Sequence, residues 1–330
     1  MPELTLVIIA VLVALVFDFI NGFHDAANSI ATVVATNVLK PRTAVLLAAF
    51  WNFVGAFIFT VAVASTIGKN VIDPAVVTIP VILAALLGAI FWNLITWYFG
   101  IPSSSSHALI GGLIGAGLMT AGIKSLQFGG IQKIFIFIIL APLIGFLGAI
   151  FFTIVMFWIF RKGNPSKIDW WFKKIQIASS SLYSLSHGTN DAQKTMGVIA
   201  LLLFSSGMIA EFHVPAWVII ASYTAIALGT LFGGWRIIKT MGTKITKLRP
   251  FDGFAAETSG SLVLLGTAHF GIPVSTTHVI SSSIMGVGAV KRMSGVHWQL
   301  ARRIVLAWII TIPASAIMAA LIYLPLQGLG

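Results

Sequence analysis

The sequence contains no cysteine, which excludes disulfides, thiolate nucleophiles and cysteine metal sites and leaves the compartment open. Charge is also scarce. Only 9% of the 330 residues are charged, against roughly 25% in an ordinary soluble domain. Hydrophobic residues make up 58% and the mean hydropathy is +1.00. No soluble core of this length hides that much apolar surface. The apolar runs are long and continuous rather than alternating, which excludes a transmembrane β-barrel. The reading is an all-α polytopic membrane protein. Acidic groups are scarcest, 9 against 20 basic ones, giving a net charge of +11. That excess does not indicate nucleic acid, because the basic residues sit in short loops between apolar runs, as cytoplasmic anchors do. The start, Met1-Pro2-Glu3, has neither the charged segment nor the cleavage site of a removable signal peptide. No soluble terminal domain or long linker is expected.

A span needs about 20 apolar residues. The first run, 4–38, is interrupted by Asp25 and Asn28. Runs then follow at 43–66, 76–99, 105–121 and 131–160. After residue 165 come 175–206, broken at Asp191, and then 215–235, 253–270, 276–290 and 304–326. Four loops, 39–42, 161–174, 236–249 and 291–303, hold every Lys and Arg except Lys69, Lys124, Lys133 and Lys194. The positive-inside rule places those four loops in the cytoplasm. The N- and C-termini then lie outside, and 76–121 starts and finishes outside, as two full spans or as a re-entrant hairpin. Its counterpart 253–290 starts and finishes inside. The expectation is two repeats, 1–165 and 166–330, of opposite orientation, each with three spans and a two-helix hairpin.

Two motifs are written twice. Gly22-Phe23-His24-Asp25-Ala26-Ala27-Asn28-Ser29 returns as Gly188-Thr189-Asn190-Asp191-Ala192-Gln193-Lys194-Thr195. Gly100-Ile101-Pro102-Ser103-Ser104-Ser105-Ser106-His107 returns as Gly271-Ile272-Pro273-Val274-Ser275-Thr276-Thr277-His278. Asp25 and Asn28, like Asp191 and Lys194, share a helix face by their spacing. A carboxylate within a span is costly unless paired or ion-bound. The plain alternative is a helix N-cap, starting the second piece of a broken helix; cap and ion site are compatible in one residue. Pro102 and Pro273 stop helices, and the hydroxyl runs behind them suit an anion at a helix N-terminus. An ordinary polar surface loop is the alternative, weakened by the matching positions of the two copies. His24, His107, His187 and His278 read first as packed, hydrogen-bonding histidines. Glu257, early in an apolar stretch, is an interfacial residue or a site residue.

These motifs make opposite demands. The Ser/Thr hairpins and Lys194 suit an anion, and Asp25 and Asp191 suit cations. An uncompensated anion in a dry site is prohibitively costly, and the membrane potential opposes its uptake by ~2.3 kcal/mol per charge per 100 mV. A cation-coupled anion symporter satisfies both demands. An anion channel would use similar helix ends but would not need duplicated aspartates. A serine hydrolase is disfavoured, since no Gly-x-Ser-x-Gly elbow is present.

On these four motif copies, which span both halves, the sequence resembles the PiT inorganic phosphate transporter family, in its prokaryotic form with Gln193-Lys194. The resemblance implies an inverted-repeat transporter, not an enzyme, that brings in phosphate with sodium or, in some members, protons. It implies phosphate binding by Ser104, Ser105, Ser106, Ser275, Thr276, Thr277, Gln193, Lys194 and Asn28. Sodium ligands would be Asp25, Asp191, Asn21 and Asn190, with Glu257, His107 and His278 accessory. Two departures stand out: the first-half counterpart of Glu257 is near Leu86, and His24 replaces the usual Asn. No cofactor is implied. The expected partners are phosphate, sodium or a proton, the lipid of the cell membrane, and a second copy of the chain.

Overall fold

The computed structural model describes residues 2–58 and 61–329. Twelve α-helices follow in order: α1 (Pro2–Ala35), α2 (Pro41–Val54), α3 (Ala62–Asn70), α4 (Ile79–Phe99), α5 (Ser105–Ala121), α6 (Phe128–Phe160), α7 (Pro165–Ser205), α8 (Ala216–Phe232), α9 (Trp235–Lys239), α10 (Pro250–His269), α11 (Thr276–Lys291) and α12 (Trp298–Leu326). Among the described residues the only β pairing is the isolated bridge between Ile72 and Leu126. Several starts are written locally. Proline stands in the first turn of α2, α4, α7 and α10, where its missing N–H is not needed. Asn164 caps α7 by accepting from the Ser166 and Lys167 backbone N–H groups.

The element order repeats. Long α1 and α7 are each followed by a bent pair: α2 and α3 lie at 81°, and α8 and the stretch from Trp235 to Lys244 at 64°. Part of the expected span 43–66, residues 59–60, lies outside the described residues. Then come α4–α5 and α10–α11, and each half ends in a long apolar helix, α6 or α12. Packing crosses between halves: α1 lies against α8, α2 against α7, α5 against α12, and α6 against α11. α1 and α7 run antiparallel. Thr36, near the end of α1, bonds Gln176, near the start of α7, and Ser29 accepts from Ser180. Asp18, farther back on α1, faces Thr195, farther along α7.

Helices broken at the Asp motifs were expected. Both are continuous: α1 passes through Asp25 and α7 through Asp191. Tertiary partners, described below, compensate these carboxylates, so no helix end is needed there. The breaks fall instead at Gly100–Ser104 and Gly271–Ser275. Gly100 (φ +65°) and Gly271 (φ +63°) adopt the left-handed conformation that ends a helix, and Pro102 and Pro273 prevent resumption.

Among the described residues, five stretches are long and apolar enough to cross a membrane: Leu4–Ala35, Ile79–Phe99, Ser105–Ser125, Phe128–Phe160 and Trp298–Leu326. The two bent pairs qualify if each is one span. α7 and α10 do not qualify on composition. The reason for α7 is its position: from Tyr183 to Leu203 every side chain is buried, so it needs no lipid-facing surface. α6 and α12 show the opposite, with exposed Phe135, Ile139, Leu147, Ile309, Ile317 and Leu321. The apolar core is divided in two. One cluster takes in Val7 to Ile20 of α1 and Ala192 to Leu203 of α7; the other takes in Ala27 to Val33 of α1 and Phe172 and Tyr183 of α7. The duplicated polar motifs lie between them.

Candidate functional site

The site is built where α1 and α7 cross the ends of the two hairpins. Ser104 is the N-cap of α5, accepting from the His107 N–H at 3.2 Å. Ser275 does the same for α11, accepting from the His278 N–H at 3.2 Å. Each cap satisfies the third N–H of its helix. The first two, of Ser105 and Ser106 in one helix and Thr276 and Thr277 in the other, have no partner within the helix. Two positive helix ends therefore present free donors. They converge on Lys194, whose Nζ donates to Ser106 Oγ at 2.5 Å and to the Val274 carbonyl, just ahead of α11, at 2.8 Å. The His107 and His278 rings meet edge to face, centroids 4.4 Å apart, and His278 stacks on Trp308.

The carboxylates approach from the other side. Lys194 Nζ donates to Asp191 Oδ1 at 2.5 Å, and Thr276 Oγ1 donates to Asp191 Oδ2 at 3.1 Å. Asp25 Oδ1 lies 2.6 Å from His24 Nδ1 and accepts a 3.5 Å bond from Thr277 Oγ1. Asn28 Nδ2 donates to Thr276 Oγ1 at 3.2 Å and Thr277 Oγ1 at 2.9 Å. Ligand atoms of Asp25, His187 and Asp191 all lie within 4.8 Å of one another.

His187 is informative here. Asn52 Nδ2 donates to Thr230 Oγ1, so its Oδ1 faces His187 Nδ1 at 3.2 Å and requires an N–H there. Nε2 then points at Asp191 Oδ2, 3.2 Å away. A neutral ring would aim a lone pair at a carboxylate. Either the ring carries a second proton, or a cation lies between the two. The donors Asp25, His187 and Asp191 thus fit a bound cation.

The site residues named from sequence separate as follows. Asp25, Asn28, Asp191, Lys194, Ser106, Thr276 and Thr277 are joined directly by the bonds above. Ser105 Oγ lies 3.5 Å from His24 Nδ1, beside them. Ser104 and Ser275 act as caps. Gln193 turns away: its Oε1 accepts from the Val63 and Ala64 N–H groups and caps α3. Asn190 is fully buried with neither side-chain atom bonded, and Asn21 Oδ1 is also unbonded. Glu257 stands apart, accepting from Thr32 at 2.5 Å, from Gln176 at 3.0 Å and from Ser179. Sequence reasoning missed His187 as a cation partner and overlooked Asp18 altogether. Asp18, Asn21, Asp25 and Asn28 follow at steps of three, four and three, which places all four on one helix face.

Every member of this center is at most 4% exposed. A buried center with two helix N-termini on one side and carboxylates on the other, at the junction of two duplicated hairpins among apolar helices, has the makeup of a membrane transporter. The sequence matches the phosphate transporter family over residues 21–319, and the chain belongs to that family. It is 57% identical to a probable low-affinity inorganic phosphate transporter of Rhizobium meliloti (strain 1021), covering 94% of this chain and 93% of that one. It is 51% identical to a protein of the same description from Bacillus subtilis (strain 168), over 97% of both chains. Among solved structures it resembles one described as "the sodium-dependent phosphate transporter", with a TM-score of 0.89, 26% identity and coverage of 98% of this chain and 99% of that one.

Proposed function

We infer that this protein imports inorganic phosphate by symport with sodium, alternating access around the buried center. The observation that carries the reading is the convergence of Asp25, His187 and Asp191 within 4.8 Å, at the place where Lys194 ties the tips of both hairpins together. Phosphate is held by Ser105, Ser106, Thr276, Thr277, Asn28 and Lys194 together with the free N–H groups of α5 and α11. Asp25, His187 and Asp191, with Asn190 next to Asp191 in the chain, hold sodium, and the sodium-dependent structural relative supports that cation. Ser104 and Ser275 shape the tips, and Gln193 anchors α3. His107 and His278 brace the tips against each other, and Glu257 ties α10 to α1 and α7.

The two motif copies act as halves of one site in inverted repeats, 1–165 and 166–330; the antiparallel run of α1 and α7 supports this. The chain sits in the cell membrane with both termini outside, and its exposed apolar helices α6 and α12 suit lipid or a second copy. Coupling to protons is the second reading, favoured by the two His–Asp pairs, His24–Asp25 and His187–Asp191. The test is labelled phosphate uptake into proteoliposomes with sodium and proton gradients imposed separately. Uptake driven by sodium alone supports the first reading. Uptake driven only by a proton gradient replaces it with the second, and equilibration without accumulation indicates a channel.

A further inference from the structure

Apart from Asp252, which pairs with Lys291 at the start of α10, four carboxylates are buried along α1, α7 and α10: Asp18, Asp25, Asp191 and Glu257. Three have hydrogen-bond partners, given above. Asp18 has none. It is 0% exposed, and neither of its oxygens is hydrogen-bonded. The polar side chains facing it are Thr195 of α7 and Asn21, one turn along α1. The Thr195 hydroxyl and Asn21 Oδ1 are themselves buried and unbonded. Among the described residues the one basic group acting on it is Lys194, which is already engaged by Asp191, Ser106 and the Val274 carbonyl. A lone ionised carboxylate is strongly unfavourable in such a place unless it takes up a proton or a metal cation joins it, and the ligands around Asp18 suit the second. Two carboxylate oxygens, an amide carbonyl and a hydroxyl are hard oxygen ligands, the set that suits a small hard cation.

We propose that Asp18, Asn21 and Thr195 form a second sodium site, distinct from the one at Asp25, His187 and Asp191. Seven residues of helix separate Asp18 from Asp25, about 10 Å along the axis. Coulomb energy falls inversely with distance, so repulsion between two cations that far apart is roughly 2.5 times weaker than the attraction of either to a carboxylate at about 4 Å. Both sites can fill together. The second site has no twin. The motif offset places Ser184 where α7 would carry the matching group, and its hydroxyl is used up on the Ser180 carbonyl at 2.8 Å. Thr32, which bonds Glu257, is seven residues beyond Asp25 in the other direction. The Asp18 site thus lies on one side of the central layer only, and loads from the face toward which α1 begins.

This inference rests on the sodium-symport reading above, and the experiment separates the two. Wild type, Asp18→Asn and Thr195→Val are reconstituted in proteoliposomes, and uptake of radiolabelled sodium and phosphate is followed together over a sodium titration. The ratio of sodium to phosphate is expected to fall in Asp18→Asn. In Thr195→Val, which keeps the side-chain shape, half-saturating sodium is expected to rise roughly 10–100-fold, with phosphate half-saturation at saturating sodium unchanged. If the wild type shows no sodium dependence, both readings fall. If the wild type is sodium-dependent and both variants keep its ratio and its sodium half-saturation, the Asp18 site alone falls. Should Asp18→Asn fail to fold, Thr195→Val decides. Loss of proton rather than sodium movement in the variants overturns the choice of cation.

Discussion

Lys194 is the residue on which the center turns. It is 1% exposed and makes three bonds, to two hairpin tips and to Asp191. Removing one partner of a buried ion pair leaves the other charge uncompensated, at a cost of about 3–5 kcal/mol. Lys194→Met is therefore expected to abolish phosphate uptake and to lower thermal stability in detergent. Adding Asp191→Asn to it should restore much of the stability but not the transport, since the orphaned charge is gone while the anion still lacks its lysine. A double variant as unstable as Lys194→Met would show that the pair is not what holds this region. The carboxylates also bear on selectivity. Phosphate at neutral pH retains a proton that sulfate lacks, and a carboxylate beside the bound oxyanion accepts that P–OH hydrogen bond while repelling sulfate. Asp25→Asn or Asp191→Asn should narrow the preference for phosphate, read as sulfate inhibition of residual phosphate uptake. An unchanged preference in an active variant would remove the carboxylates from this role.

The motif glycines matter for how helices meet. A Cβ added at Gly22 would stand 2.2 Å from the Ile226 carbonyl oxygen of α8, and one at Gly188 would stand 2.6 Å from the Asn52 carbonyl oxygen of α2. Both neighbours are backbone and cannot swing aside. The first residue of each Asp motif thus lets α1 and α7 press against a helix of the opposite half. Gly22→Ala and Gly188→Ala should each destabilise by about 1–3 kcal/mol, seen as a lower melting temperature. Gly129→Ala, with nothing within 4 Å, should melt as the wild type does. Equal effects at all three positions would show that close packing is not the reason.

Much at this scale was legible in the sequence, because it was local. Gly100-Ile101-Pro102 and Gly271-Ile272-Pro273 carry their own stop signals, so the hairpin breaks fall where the motifs place them. The continuity of α1 through Asp25 was not legible, since it depends on partners as distant in sequence as Thr277. Gln193 was misplaced for the same reason: its capping of α3 exists only once α3 and α7 pack. Asp18 was overlooked because single-span hydropathy hides one carboxylate in an apolar run, although its spacing to Asp25 placed it on the same face.

Across the whole molecule, the antiparallel pairing of α1 and α7 gives a polar file through the interior. Asp18 lies toward one end, Asp25 and Asp191 lie at the center, and Glu257 lies toward the other end, with apolar clusters above and below the central layer. Such a file serves transport only if its two ends open to opposite sides of a membrane, and the loop charges assign those sides. The missing cysteines make this directly measurable, because one introduced thiol is the only thiol in the chain. Lys124 and Lys167 are both exposed. The charge distribution puts Lys124 outside and Lys167, in the basic loop 161–174, inside. Gly295, at the motif offset of 171 from Lys124 and in the basic loop 291–303, should lie inside as well, since inverted repeats send equivalent loops to opposite faces. In intact cells, a membrane-impermeant maleimide should label Lys124→Cys and spare Lys167→Cys and Gly295→Cys until the cells are permeabilised. Labelling of Lys124→Cys and Gly295→Cys from the same side would contradict the inversion, whereas reversal of all three would keep the inversion and turn the whole molecule over.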